Sequence, residues 1–295
     1  PILYNIMCSK FRPIVSSVLC LIGATAFMTS AQGKVRFHNE SEDTTRINNL
    51  LIECQKIKTP GEKVKAMALS FEGTPYVAHT LEGDTELVTV NIDELDCTTF
   101  VETVLALAFT AEEGRTSWRD YVYNLERLRY RGGNLNGYPS RLHYISDWIV
   151  DNSHRGNLQE VTNRFPYYHH ITKTLSFMTE NRDKYQSLSD SLNYERMKGV
   201  ELGYYSHQFP YIKTVDLKKK ETKDAFQSGD VVALVTSMKN LDVTHLGIII
   251  KKDGEPYLLH ASSSNGKVEV SNVPFDEFMK RNRSLLGVRV IRLKQ

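Results

Sequence analysis

Asp96-Cys97-Thr98-Thr99-Phe100-Val101-Glu102 marks the point where a turn gives way to a long apolar helix, because Val101, Val104, Leu105, Ala108 and Phe109 recur at helical spacing behind the cysteine. Asp96 is a natural N-cap. It puts the thiol in the first helical turn, where unpaired backbone N–H groups and the positive dipole end favour thiolate. A cysteine so placed is either a nucleophile or a small buried residue of a core helix, since free cysteine is among the most buried residue types. The stretch alone does not choose. The residues that decide lie far downstream, at His245 and His260.

Working outward, the chain has 295 residues, 41% hydrophobic and 24% charged, which is enough apolar chain for one sizeable core and excludes intrinsic disorder. Residues 1–33 read as a secretory signal peptide. Lys10 and Arg12 precede the apolar run Ile14 to Met28, and small residues at Thr29-Ser30-Ala31-Gln32 suit cleavage. An uncleaved membrane anchor is the alternative. Of 37 basic and 35 acidic residues, Lys10, Arg12 and no acidic residue fall in this segment, so the remainder balances at 35 of each. That balance leaves no nucleic-acid or membrane-surface footprint. Cys8 and Cys20 leave with the signal. Of the remaining two cysteines, Cys54 sits in the amphipathic pattern of Ile47, Leu50, Leu51 and Ile57 and reads as a buried structural thiol. No Cys-x-x-Cys motif and no disulfide framework is present.

Helices are expected at 43–57 and again after Thr59-Pro60-Gly61-Glu62, where threonine caps, proline takes the first position and Glu62 is placed for a capping box. Leu87-Val88-Thr89-Val90 reads as a short strand. Residues 113–228 read as a largely helical insertion, with helices from Trp118 to Leu128, at 173–185 and at 189–205, and a short aromatic segment from His143 to Val150. The last third switches to period two. Runs at Asp230–Val235, Leu246–Ile250, Tyr257–His260, Val268–Val270 and Gly287–Ile291 are punctuated by Asp253-Gly254 and Asn265-Gly266, both hairpin signals. Helices first and an antiparallel meander last make an α+β chain, with 34–295 as a single domain.

A hairpin turning near Asp253-Gly254 brings His245, at the start of one strand, and His260, at the end of the next, to the same end of the sheet. Thiol catalysis needs an imidazole within reach of the sulfur and a second polar group to orient it. Cys97, His245 and His260 supply the three parts.

These residues resemble the NlpC-type papain-like cell-wall hydrolases. The resemblance is carried by Asp96-Cys97-Thr98-Thr99-Phe100-Val101, Gly229-Asp230-Val231-Val232, Thr244-His245-Leu246-Gly247-Ile248-Ile249 and His260-Ala261-Ser262-Ser263, with Gly73-Thr74-Pro75-Tyr76 matching the family's Gly-x-Pro-Tyr. It covers roughly 60–112 and 226–293. One departure is Val77-Ala78-His79-Thr80, which stands where the family has Gly-Gly. The enlarged middle and Tyr138-Pro139-Ser140-Arg141-Leu142-His143-Tyr144 are similar to one branch, formerly an uncharacterised domain family, of N-acetylmuramoyl-L-alanine amidases acting on muropeptides, with preference for the anhydro form. The resemblance implies a papain-like fold, with N-terminal helices carrying the nucleophile against a C-terminal antiparallel sheet or barrel. It implies Cys97, His245 and His260 as catalytic residues, and Tyr76, Asp96, Tyr138, Ser140, Arg141 and His143 facing substrate. Peptidoglycan fragments are the implied partner. The protein is expected to be exported, periplasmic and monomeric, with no cofactor, no metal and no nucleic acid.

Alternatives stay open. A γ-D-glutamyl-diamino-acid endopeptidase on the same scaffold, or a non-catalytic wall-binding protein, fits the same motifs. His245 either takes the Cys97 proton during reaction or already holds it as an ion pair. Arg141 reads as a carboxylate clamp or as a salt-bridged buttress. Tyr138, His143, Tyr144 and Trp148 form a saccharide wall or simply pack. His169-His170 lacks a third ligand nearby in sequence.

Overall fold

In the computed structural model, which describes residues 35–294, the first helices follow their cap signals. After strand β1 (Val35–Phe37), Asn39 caps α1 (Glu40–Gln55), whose buried stripe includes Ile47, Leu51 and Cys54. Thr59 caps α2 (Pro60–Leu69) by accepting from the Glu62 N–H. Strand β2 (Val88–Val90) pairs in parallel with β1, a partner absent from the sequence reading.

Helix α3 (Cys97–Glu112) is buried on nearly every side, with Phe100 to Ala108 all enclosed. A helix apolar all round belongs inside a domain. Its one buried charge, Glu102, is held at 2.6 Å by Arg129 of α4 (Trp118–Arg129), which also donates to the Thr89 carbonyl at 2.8 Å. The pair therefore ties α3, α4 and β2 together.

The segment 113–228 is not simply helical, and the expectation is corrected here. It holds α5 (Ile145–His154), β3 (Leu158–Glu160), β4 (Tyr168–Lys173), a single-turn α6 (Phe177–Glu180), α7 (Ser191–Leu202), β5 (His207–Lys213) and α8 (Lys220–Ala225). The helix expected at 173–185 is instead the end of β4, the short α6 and one 3₁₀ turn, Arg182–Lys184. In the structure β4 alternates exposed and half-buried side chains, but its residues are mostly polar and aromatic, so the sequence carries no matching apolar alternation. Moreover, β3, β4 and β5 are part of the main sheet.

That sheet is completed by β6 (Val231–Thr236), β7 (Val243–Lys252), β8 (Glu255–Ser262), β9 (Lys267–Val270) and, after α9 (Phe275–Lys280), β10 (Leu285–Leu293). It has eight strands in the order β4-β5-β10-β6-β7-β8-β9, with β3 also on β10. Both faces are apolar. Val231, Ala233, Leu246, Ile248, Ile250 and Leu259 pack in the cluster that contains α3; Val232, Leu234, Ile249 and Leu258 pack with Phe275 and Met279 of α9. Asp253 and Gly254 both have positive φ, 51° and 84°, as the tight hairpin between β7 and β8 requires.

Two features fix the start of β7. Lys173 Nζ donates to the carbonyls of Thr236, Met238 (2.9 Å) and Leu241 (2.7 Å), clamping the turn before it. Then the register slips: Leu234 pairs with His245 but Val235 with Val243, leaving Thr244 as a bulged extra residue. Bulges re-aim side chains.

Gly229 shows how close the layers come. Its φ is +90°, and a Cβ there would lie 2.3 Å from the Gly61 carbonyl oxygen at the start of α2. Gly229→Ala should therefore lower the unfolding free energy well beyond the ~1–2 kcal/mol of left-handed backbone strain alone. Gly254→Ala, at φ +84° in open space, should cost only that strain. Urea denaturation of the two variants side by side checks the difference.

Candidate active site

Asp96 Oδ1 accepts the N–H groups of Thr98 (2.9 Å) and Thr99 (2.8 Å), while Thr99 Oγ1 accepts from the Asp96 N–H at 2.8 Å, a reciprocal capping box. The cap leaves the Cys97 N–H acting on its own sulfur. Burial pushes the Cys97 thiol up to about 11, and the Asp96 carboxylate adds to this. The N–H groups of Leu246 and Cys97 and the Thr98 hydroxyl pull the other way, which puts the backbone of the His245–Leu246 step beside the sulfur.

His245 and His260, on adjacent strands, meet through Nε2 and Nδ1 at 2.8 Å, with ring planes 88° apart. Phe278 of α9 presses edge-on against His260, 5.2 Å between centroids. Burial pushes His245 down to about 3 and His260 to about 4, and Glu269 opposes the shift at His260. Thiol and imidazoles are thus both held neutral, so the resting proton sits on sulfur. Of the two states expected for the pair, these shifts run against a standing thiolate–imidazolium ion pair. Among the described residues no hydrogen bond joins the sulfur to His245. Since Nε2 is engaged with His260, Nδ1 is the His245 nitrogen left to meet other groups.

Two cavities are lined by neighbours of Cys97 and by the histidine pair. One, of about 420 Å³, is lined by Asp96, Thr98, Tyr138, Arg141 and His143 among others. The other, of about 710 Å³, holds His245 and His260 with Glu269, Phe278 and Arg281. Tyr76 stands close to Cys97: its hydroxyl is raised first by burial, then by the charges of Cys97 and Asp96, and its N–H is tied to the Gly266 carbonyl at 2.9 Å. Where the sequence departs from Gly-Gly, His79, Leu81, Glu82 and Gly83 form a wall of the first cavity. Arg36 of β1 holds that wall through the carbonyls of Thr80 (3.1 Å) and Glu82 (3.2 Å).

Arg141 is the salt-bridged buttress of its second reading, and it lies at the wall of the first cavity. Its guanidinium is buried, bonded to Glu82 at 2.8 Å, paired with Glu86 at 3.4 Å and stacked over Tyr138, yet it also lines the cavity. His143 Nε2 lies 3.0 Å from the Tyr138 carbonyl oxygen. A carbonyl only accepts, so the neutral ring carries its proton there and offers Nδ1 as a lone pair; burial and Arg141 keep it from charging. Ser140 does not face the cavity. Its hydroxyl is used within the turn, donating to the Gly137 carbonyl and accepting from the Asn136 N–H. Tyr144 and Trp148 are core residues, not a saccharide wall: Tyr144 donates to Glu201 at 2.6 Å, and Trp148 is 1% exposed. His169 pairs with Asp216 at 3.2 Å, and His170 stacks against Tyr168. The sequence reading missed Lys184, Tyr185, Gln186 and Ser187, which close the first cavity from turns after α6 and carry no periodic signal.

With this geometry in place, comparison with known proteins is specific. Residues 66–288 match the AmiA-like family, described as N-acetylmuramoyl-L-alanine amidase-like. The chain belongs to that family. An N-acetylmuramoyl-L-alanine amidase from Bacteroides uniformis superposes with a TM-score of 0.76 at 36% identity, covering 80% of this chain and 99% of that one. A Bacteroides fragilis protein carrying a provisional xylanase name aligns at 39% identity and TM-score 0.72, over 77% and 99% of the two chains. A Legionella pneumophila protein at 20% identity, TM-score 0.67 and coverage of 90% and 97% shares the fold. A search of curated proteins gave no match.

The buried neutral histidines also make the family member acid-sensitive. Their folded pKa values lie below the ordinary imidazole value of about 6.5, so their neutral-state stabilisation is complete above that pH. It is lost as pH falls toward about 4 and then 3. The urea midpoint should drop between pH 6.5 and 4, and His260→Asn should flatten that slope.

Proposed function

We propose that the chain is a cysteine N-acetylmuramoyl-L-alanine amidase that cleaves the lactyl–L-Ala amide of peptidoglycan-derived muropeptides, including anhydro forms, in cell-wall turnover. The observation that carries this reading is a cysteine at the capped end of a buried helix whose sulfur meets the Leu246 N–H, the residue next to His245 of a hydrogen-bonded histidine pair. Family membership gives the amide class.

In the reaction, His245 Nδ1 accepts the Cys97 proton as the sulfur attacks the lactyl carbonyl carbon. The Cys97 N–H is an oxyanion donor, and Tyr76 positions the substrate beside it. The C–N bond breaks, the peptide leaves as an amine with the proton from His245, and a thioester remains. Water then gives its proton to His245 and hydrolyses the thioester, releasing the muramyl carboxylic acid and the thiol. The expected signal over residues 1–33 would deliver the enzyme to the periplasm, where its substrate arises.

A glycosidase reading, suggested by the xylanase name, is disfavoured by the carboxylates themselves. Glycoside hydrolysis needs a free acid and a free base or nucleophile flanking one bond. Here Asp96 is used by the helix cap, Glu102 by Arg129, and Glu82 and Glu86 by Arg141.

Mass spectrometry of products from a defined anhydro-muropeptide tests the proposal. An amidase yields intact peptide and free muramyl sugar; an endopeptidase leaves L-Ala-D-Glu on the sugar; a binding protein yields nothing. Cys97→Ala should lower kcat by at least ~10³-fold. Full activity in that variant, or inhibition by a chelator without inhibition by a thiol alkylator, would sink the scheme.

A further inference from the structure

The contact between His245 Nε2 and His260 Nδ1 can contain only one proton while both rings are neutral. If His245 supplies it, His245 Nδ1 is bare and can take the thiol proton, and His260 must then carry its own proton on Nε2. If His260 supplies it, His245 carries its proton on Nδ1 and cannot act as a base at that nitrogen. Only the first arrangement is productive, so something must select it.

Glu269 is placed to do so. It lies directly across from His260 in the β8–β9 register, so the two side chains share one face of the sheet. Both line the same cavity. Its carboxylate is fixed by the Asn265 side-chain amide, at 2.5 Å from Oε1. The groups around His260 are His245 from β7, Glu269 from β9, the uncharged Phe278 from α9 and Arg281 just beyond it, while α3, which begins with Cys97, packs against the same strand. Among the described residues Glu269 is the one anion lining that cavity.

We propose that Glu269 is a positioning residue of the Cys97–His245–His260 arrangement, whose negative charge keeps the His260 proton on Nε2 and thereby leaves His245 Nδ1 free to accept from the thiol. The proposal rests on the cysteine-amidase reading. It goes further in assigning a fourth residue and a tautomer. As positive charge develops on His245, the same carboxylate stabilises it through His260, as the third member of a triad stabilises an imidazolium.

The test is ¹⁵N-histidine NMR of the full-length protein at neutral pH, with the pH dependence of muropeptide hydrolysis measured alongside. In the wild type both rings should be Nε2–H tautomers. Glu269→Gln keeps the side-chain shape but removes the charge. It should shift both rings toward Nδ1–H, lower kcat by at least about tenfold with little change in KM, and move the acid limb of kcat/KM to lower pH. Complete loss of the tautomer would cost up to about 10⁴-fold. Glu269→Asp should restore the wild-type tautomers and acid limb. Tautomers unchanged in Glu269→Gln, or a wild type already in the reverse arrangement, overturn the proposal whether or not muropeptides are hydrolysed. A tautomer shift in protein that turns over no muropeptide upholds the proposal and counts against the amidase reading alone.

Discussion

The constraint on which everything else depends is the enclosure of α3. A helix with almost no exposed side is immobile, and the sulfur at its first residue inherits that immobility. Enclosure demands that Glu102 be neutralised internally, which Arg129 does while reaching on to β2. Removing one member of such a pair strands a buried charge and is far more damaging than the net worth of the pair. The second demand is at the N-terminus, where Asp96 and Thr99 satisfy each other and leave the Cys97 N–H turned toward the reacting atom. Enclosure and capping together hold the Cys97 sulfur in place, touched by the Leu246 N–H and, at longer range, by the Thr98 hydroxyl.

The same enclosure sets the electrostatics. Sulfur and imidazoles are each driven toward their uncharged forms by desolvation. A thiolate–imidazolium pair in this setting would be disfavoured by the same desolvation. The two cavities differ in kind. The first has a floor of charges already paired with each other through Arg141; the second is lined mainly by serine and asparagine side chains around the histidines.

How much of this was legible follows from what each residue type can announce. Cys97 on a capped helix, and His245 and His260 on a hairpin, were readable because apolar periodicity on either side places them. Arg141 was readable as a buried or binding guanidinium, with nothing in the sequence to choose between the two. The strands of the insertion were hidden because β4 is built from Tyr168, His169, His170 and Thr172 with a single aliphatic residue, so its period of two carries no hydrophobic contrast. Lys184 to Ser187 lie in turns without any period. The Leu246 N–H is a backbone group, which no residue type advertises. Tyr144 and Trp148 misled because an aromatic looks the same in sequence whether it meets a sugar or a core.

The bulge at Thr244 has a consequence for what changes the chain tolerates. Val243 and Leu246 are three residues apart, an odd spacing, yet both bury in the α3 cluster, which regular alternation forbids. The parity is repaired by one supernumerary residue, and His245 owes its aim to that count. Many substitutions at Thr244, an exposed side chain, would leave the bulge intact, whereas deleting it would restore plain alternation from Val243 to Leu246 and remove the local bend that sets the direction of His245. The identity of the residue at 244 is free to drift; its existence is not.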